Sequence, residues 1–555
     1  MSAYIDRTIN AMQKMLKFVG GWSLLFGFFL LGCTAQSDEE TIPNRIVYGL
    51  SLQVSGIDPH INQSSELGIV LRQVYDTLVY RHPETREFVP GLAESWATSE
   101  DGLRYRFNLR TDVIFHDGTP FDANAVRSNL ERIMAPETNS QRARLLLGPL
   151  TGWEVIDTHT IELILSEPYG PLLDGLAQVY VGIASPAALE AVNALPDMEE
   201  YNTLLYQYHQ VGTGPFEFVE YLPGDRIVIR RFDNYSWGPG FYENASDNAI
   251  DEIIFRFFED EATRALALES GEADIMGELL PTDARALTNN PSIQLQPVAV
   301  PGQPLQFYMN TKLFPTDNLA VRQALLYSAN RAVIVESIFQ GLSPVAWGPL
   351  SADSLYYNPG VRGVYDFDPE TARQLLNSVG YEDTDNDGIL DLDGTPLEIR
   401  VIQPPWGLVP AVLQVLRDQW REVGINTIIE PVPGFTALVN EVQQGNYNLV
   451  SFDTFGLDPV LLNPRFLSEG VVNWTGYRDA ALDAALIEGA RSVNEDQRRL
   501  AYGQAQAIIM QQALILPIRD YVNLNAHSAR VRNLTFDPYG WFPLLHDAIL
   551  VDVSQ

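Results

Sequence analysis

The sequence predicts a mixed α/β fold, and three observations carry that prediction. Segments with apolar residues at helical spacing alternate with short β-branched and aromatic runs along the whole chain. No repeat of fixed period appears, and no low-complexity stretch lies beyond the first forty residues or so. The 555 residues are 46% apolar and 10% aromatic, the composition of a folded chain. About 520 residues remain after a leader, more than one core supports, so two or three domains are expected.

The leader comes first. Arg7, Lys14 and Lys17 precede residues 18–31, which carry no charge. A bilayer core takes roughly 20 apolar residues to span, so this run suits a signal-peptide core better than a permanent anchor. Leu30-Leu31-Gly32-Cys33 resembles the lipobox of bacterial lipoproteins, in which the Gly–Cys bond is cut and the thiol acylated. The resemblance implies a signal peptide over 1–32 and lipidation of Cys33, with Met12 or Met15 as alternative starts. The competing reading is an uncleaved signal anchor. Cys33 is the only cysteine, so the chain holds no disulfide and no thiolate metal site. Residues 33–40 open a polar, aperiodic tether.

Strands are expected at RIVYGL (45–50), RYRFNLR (104–110), HTIELILS (159–166), DRIVIRRF (225–232) and DEIIFRFF (251–258). FDPETARQLLNSVGY (367–381) is the clearest helix: Asp368 caps it, Pro369 fits its first turn, and Gly380 stops it. Its apolar face is Ala372, Leu375, Leu376 and Val379. Residues 317–341 read as two helices, the first capped by Asp317 and the second ended by Gly341. Residues 410–431 read as helix, Gly424, strand.

Residues 1–32 carry a net +2, which leaves −37 of the overall −35 on the rest. So negative a chain repels nucleic acid and anionic lipid, and any membrane attachment falls to the lipid. One acyl chain binds only marginally; stable attachment takes two. Catalytic signatures are missing: there is no G-x-S-x-G, Walker loop, G-x-G-x-x-G or H-E-x-x-H, and no histidine pair has ligand spacing.

Residues 71–133, with PGLAESW, DGLRYRFNLR and FHDGTPFDANAV inside them, resemble the opening of the family 5 extracellular solute-binding proteins. These are the peptide-, dipeptide- and nickel-binding subunits of bacterial ABC importers. Later blocks follow in family order at 211–238, 271–275, 308–335 and 421–430. The resemblance implies a bilobal periplasmic-binding-protein-like fold with an extra inserted domain. Domain I would comprise 41–82, 205–300 and 515–555, domain II 83–204 inserted in it, and domain III 301–514 as the second lobe. Two crossing strands, near 298–311 and 513–521, would form the hinge. The implied function is a lipid-anchored extracytoplasmic, monomeric subunit that captures a peptide or similar solute for a permease and its ATPase. A hydrolase or solute sensor on the same scaffold, or a binder of a sugar or metal chelate, is the alternative.

The same resemblance places ligand contacts in GIDPHINQSS (56–65), at Asn62, Gln63, Ser64 and Ser65. It also places them at Thr213 and Gly214, where the chain re-enters domain I, and at Phe452, Asp453, Thr454 and Phe455. Trp347 and Trp406, each beside Gly in a loop, offer stacking surfaces or lids on a lobe core. Peptide-binding members carry an Asp three residues before an Asp-Pro or Glu-Pro pair, holding the ligand's ammonium. Here the pair is Asp458-Pro459 and the residue three earlier is Phe455, with Asp453 the possible substitute. Last, EDTDNDGILDLDGTPLE sets Asp383, Asp385, Asp387 and Asp391 at positions 1, 3, 5 and 9 of a calcium loop. Position 6 is Gly388, but position 12 is Gly394, not Glu. A structural calcium and a hydrated acidic hairpin are the two readings; no other cofactor is required.

Overall fold

The computed structural model describes residues 44–54, 56–61, 64–193, 206–243 and 248–551, all within one compact unit. The signal peptide, Cys33, the tether, Asn62 and Gln63 lie outside the described residues.

Three sheets organise the molecule. The first has seven strands, in the order Ile293–Ala299, Val522–Ser528, Ile275–Met276, Arg45–Leu50, Glu252–Phe257, Arg226–Arg231 and Phe216–Leu222. Arg45–Leu50 is parallel to both of its neighbours; the other pairs are antiparallel. The second has four antiparallel strands, Ala93–Thr98, Arg104–Leu109, Thr160–Leu165 and Leu150–Asp157. In it Arg104–Leu109 buries alternate residues, as period-two patterning requires: Tyr105, Phe107 and Leu109 point inward. These two sheets share one apolar core. The third has five strands, Asn426–Pro431, Glu398–Gln403, Leu449–Ser451, Leu305–Met309 and Ile515–Arg519, around a second core. The result is a bilobal α/β molecule.

The expected strands all form. The helix Pro369–Ser378 starts where its chemistry says it should: the Asp368 carboxylate accepts the Thr371 N–H at 3.0 Å. One cap moves. Asn318, not Asp317, caps Leu319–Tyr327, accepting from Ala320 N at 2.9 Å, because the Asp317 N–H is still tied to Leu313 O.

The lobes are joined by two antiparallel segments that pair on both sides of the crossing. Ala299 faces Val522 in the seven-stranded sheet, Val300 N donates to Tyr521 O, and Leu305 faces Arg519 in the five-stranded sheet. Residues 300–304 and 520–521 therefore carry the two-strand hinge. The expected boundary at 514/515 shifts accordingly: Ile515–Arg519 belongs to the five-stranded sheet, because its partner is Leu305–Met309. Gly302, at φ 130°, touches the loop after Ser451; a Cβ there would stand 2.6 Å from Thr454 O.

Candidate functional site

The loop that follows Leu449–Ser451 is pinned to the hinge. Gln303 N donates to Thr454 O at 2.9 Å and Gly456 N to Pro301 O at 3.0 Å. That pinning sets Phe455 between the lobes, with its ring 4.7 Å from Tyr521 of the hinge and 5.5 Å from Trp541 of the first lobe. Asp453 lies beside the Tyr521 hydroxyl, and burial pushes its carboxyl up to about 6, against the pull of that hydroxyl and of Arg519 and Arg465. Arg498 holds both oxygens of Asp458 at 2.8 Å.

Two cavities open between the lobes. The larger, about 510 Å³, has Glu278 and Leu280 on one wall, Trp406 and Phe339 on the other, and Arg519 and Tyr521 at the hinge. The smaller, about 180 Å³, lies among Ser65, Tyr180, Thr454, Phe455 and Trp541. Trp541 borders both. At the edge of the larger cavity the Ser51 hydroxyl contacts Glu278 and donates to Glu66. Burial, and then the charge of Glu66, push the Glu278 carboxyl up.

Of the residues expected from sequence, Ser65, Thr454, Phe455 and Trp406 border these cavities, and Asp453 lies beside them through Tyr521. The others do not. Ser64 caps the helix Ser65–Val74, accepting from Leu67 N at 3.2 Å. Thr213 is fully buried and donates to Asp76 at 3.1 Å. Gly214 donates its N–H to Val74 O and accepts from His116 Nε2, both at 2.9 Å; a Cβ there would meet the Val74 carbonyl carbon at 2.6 Å. These two pack in the first lobe, where the Thr213 hydroxyl and carbonyl and both backbone groups of Gly214 are already engaged. Phe452 packs against Trp474 and lies under the Arg465 guanidinium at 4.5 Å. Trp347 is half-buried on the second core with Arg331 4.5 Å above its ring, which makes it a lid on the lobe.

In the acidic loop, carboxylate oxygens of Asp383, Asp385 and Asp391 lie within 4.8 Å of one another. Asp387 stands outside this trio; its carboxylate accepts from Ile389 N at 2.7 Å. The chain then enters a short hairpin, Asp391–Leu392 with Thr395–Pro396.

Sequence reasoning missed Arg519, Tyr521, Trp541 and Glu278. A signal existed for Arg519, an arginine that closes the apolar run ALILPIR. Glu278 and Trp541 lie in short loops without periodicity, and only the tertiary fold brings them to the cleft.

Two lobes on a two-strand hinge, with a solute-sized cavity walled by both, define a binding protein of the closing-cleft class. The chain belongs to the bacterial extracellular solute-binding proteins, family 5, whose middle region matches residues 87–467. It is 27% identical over 538 residues to heme-binding protein A of Haemophilus influenzae, covering 92% of this chain and 93% of that one. It is 29% identical over 507 residues to the glutathione-binding protein GsiB of Escherichia coli O1:K1, covering 88% and 91%. The fold matches NikA from Brucella suis, solved with Fe(III)-EDTA, at a TM-score of 0.80 and 23% identity, over 91% of this chain and all of that one. No helix among the described residues is long and apolar enough to cross a membrane.

Proposed function

We propose that this chain is the solute-capturing subunit of an ABC importer, tethered outside the cytoplasmic membrane by an acylated Cys33. It works as a monomer, closing its lobes on one small organic solute and presenting the closed form to a permease and its ATPase. The observation that carries this reading is the cavity of about 510 Å³ walled by both lobes at the hinge. A solute that touches both walls stabilises the closed form by its differential affinity, which is the signal a transporter reads. The relatives named for heme and for glutathione support an organic solute over a bare ion. The acidic loop supports a structural calcium held by Asp383, Asp385 and Asp391, since three carboxylates converge there.

The test is mass spectrometry of whatever co-purifies with the mature protein, with calorimetry against glutathione, haem and a mixed di- and tripeptide pool. A single organic molecule bound at one per chain is expected. A protein that carries nothing and binds none of the three sinks the reading. Cys33→Ala should fold normally and leave the membrane fraction; retention on membranes in high salt would make the leader an anchor.

A further inference from the structure

Arg519 ends the hinge strand Ile515–Arg519 and is 8% exposed. Among the described residues Arg72, Arg81, Arg264, Arg322, Arg331, Arg465 and Arg498 are equally buried, and each donates to a carboxylate, carbonyl or hydroxyl oxygen. Arg264, which borders the same cavity, spends its donors on the carbonyls of Phe258, Glu278, Ser51 and Glu259. Arg519 has no such partner. Its Nε is buried without a hydrogen bond, and no carboxylate among the described residues comes within ion-pair distance. The guanidinium is instead clamped between two rings, 4.3 Å from the centre of Phe339 and 4.2 Å from that of Tyr521, at the wall of the larger cavity. Asp453 and Asp520 contribute charge nearby without pairing with it.

A buried, unpaired guanidinium is costly, and that cost is relieved when an anion arrives. The planar fork fits a carboxylate through two parallel hydrogen bonds, and the two rings already fix its plane. Ordering the side chain on binding therefore costs little. With the chain at −35 overall, an anion meets repulsion everywhere else, so selection by charge has to be local. Trp406 and Trp541, on opposite walls of the same cavity, supply flat apolar surface for the rest of the molecule.

We propose that Arg519 is the anion-binding residue of the inter-lobe cavity, and that the captured solute carries a carboxylate seated on its guanidinium with an apolar or aromatic body against the tryptophans. This rests on the solute-capturing reading and names the solute class.

The experiment is a thermal-shift screen of the full mature chain, followed by calorimetry. The probes are hippurate, 3-phenylpropionate and indole-3-acetate, each beside its own primary amide, with glutathione, haem and the peptide pool included. At least one carboxylate is expected to raise the melting temperature while its amide does not. Arg519→Gln should lose that shift while melting at or above the wild-type temperature without ligand, since it removes an uncompensated buried charge. Arg519→Lys, which keeps the charge but not the fork, should bind at least tenfold more weakly. Equal binding of acid and amide, unchanged binding by both variants, or a lower ligand-free melting temperature for both variants overturns the proposal. Shifts by neutral or cationic probes only would overturn it and leave solute capture standing. No shift by any probe, with nothing co-purifying, would remove both.

Discussion

Phe455 borders the smaller cavity with aromatic surroundings, and the family resemblance implies that peptide binders carry at this position the Asp that holds the ligand ammonium. A phenyl face offers a cation only about 0.5–2 kcal/mol, less than a buried carboxylate pair with hydrogen bonds. Simple di- and tripeptides should therefore bind weakly, since an ammonium in a closing cleft needs a counter-charge to offset its desolvation. Asp453, two residues from Phe455, is the carboxylate nominated to serve, and with its carboxyl pushed up to about 6 it is mostly ionised above that pH. Calorimetry of the peptide pool separates the cases. Phe455→Asp is expected to gain peptide affinity by about tenfold or more over wild type. Tight wild-type binding that fades as pH falls through 6 and is lost in Asp453→Ala would mean Asp453 holds the amine. Tight wild-type binding that survives Asp453→Ala contradicts the argument. At this scale the sequence was half legible: the loop 452–455 was nominated by the family resemblance, and Thr454 and Phe455 border the smaller cavity. Thr213 and Gly214 lie away from both cavities because they are packed inside the first lobe, invisible in a local pattern, with the Thr213 hydroxyl and both Gly214 backbone groups engaged there.

The secondary-structure elements were far more legible, because period-two alternation and capping chemistry are local. Arg104–Leu109 and Pro369–Ser378 form as their side chains dictate. What could not be read was which sheet a strand joins: ILPIR is buried at every residue, a pattern that suits either lobe, and only pairing with Leu305–Met309 decides it. The acidic loop before the hairpin is a second case, since spacing nominated four carboxylates and the backbone brings three together. If that trio holds calcium, binding to the native state raises the melting temperature by mass action, by about 2.7 kcal/mol of stability at a hundredfold excess over Kd. Millimolar calcium should raise the wild-type melting temperature and chelator should lower it back. Asp385→Ala should abolish the response, whereas Asp387→Ala should keep it, because the Asp387 carboxylate is not among the three that converge. Identical curves with calcium and with chelator would leave the loop an acidic hairpin.

Across the whole molecule the lobes also meet through contacts made by residues that line neither cavity, and these set how readily the cleft closes. Gly170 N of the inserted segment donates to Ala490 O at 2.9 Å, Glu167 pairs with Arg491, and Arg86 pairs with Asp353. Leu457 of the second lobe is fully buried in the apolar core of the first. None of these touches a solute in the cavities, yet each is present only when the lobes are together. Loss of such a contact raises the apparent Kd by the fraction of molecules it moves to the open form. The exposed Glu167–Arg491 pair contributes on the order of 0.2–1 kcal/mol, so Glu167→Gln should weaken solute binding no more than about fivefold, and less in high salt. Leu457→Ala exchanges a fully buried side chain for a small one at the joint, a loss of about 2 kcal/mol, and should weaken binding roughly 30-fold. Calorimetry with the co-purified solute gives the affinities, and small-angle scattering of ligand-free protein gives the closure. Both variants should show a larger radius of gyration than wild type, with Leu457→Ala the larger, and solute should bring each back to the wild-type value. A Leu457→Ala protein that binds as tightly as wild type at unchanged radius would mean the joint is rigid and closure is not what the solute selects.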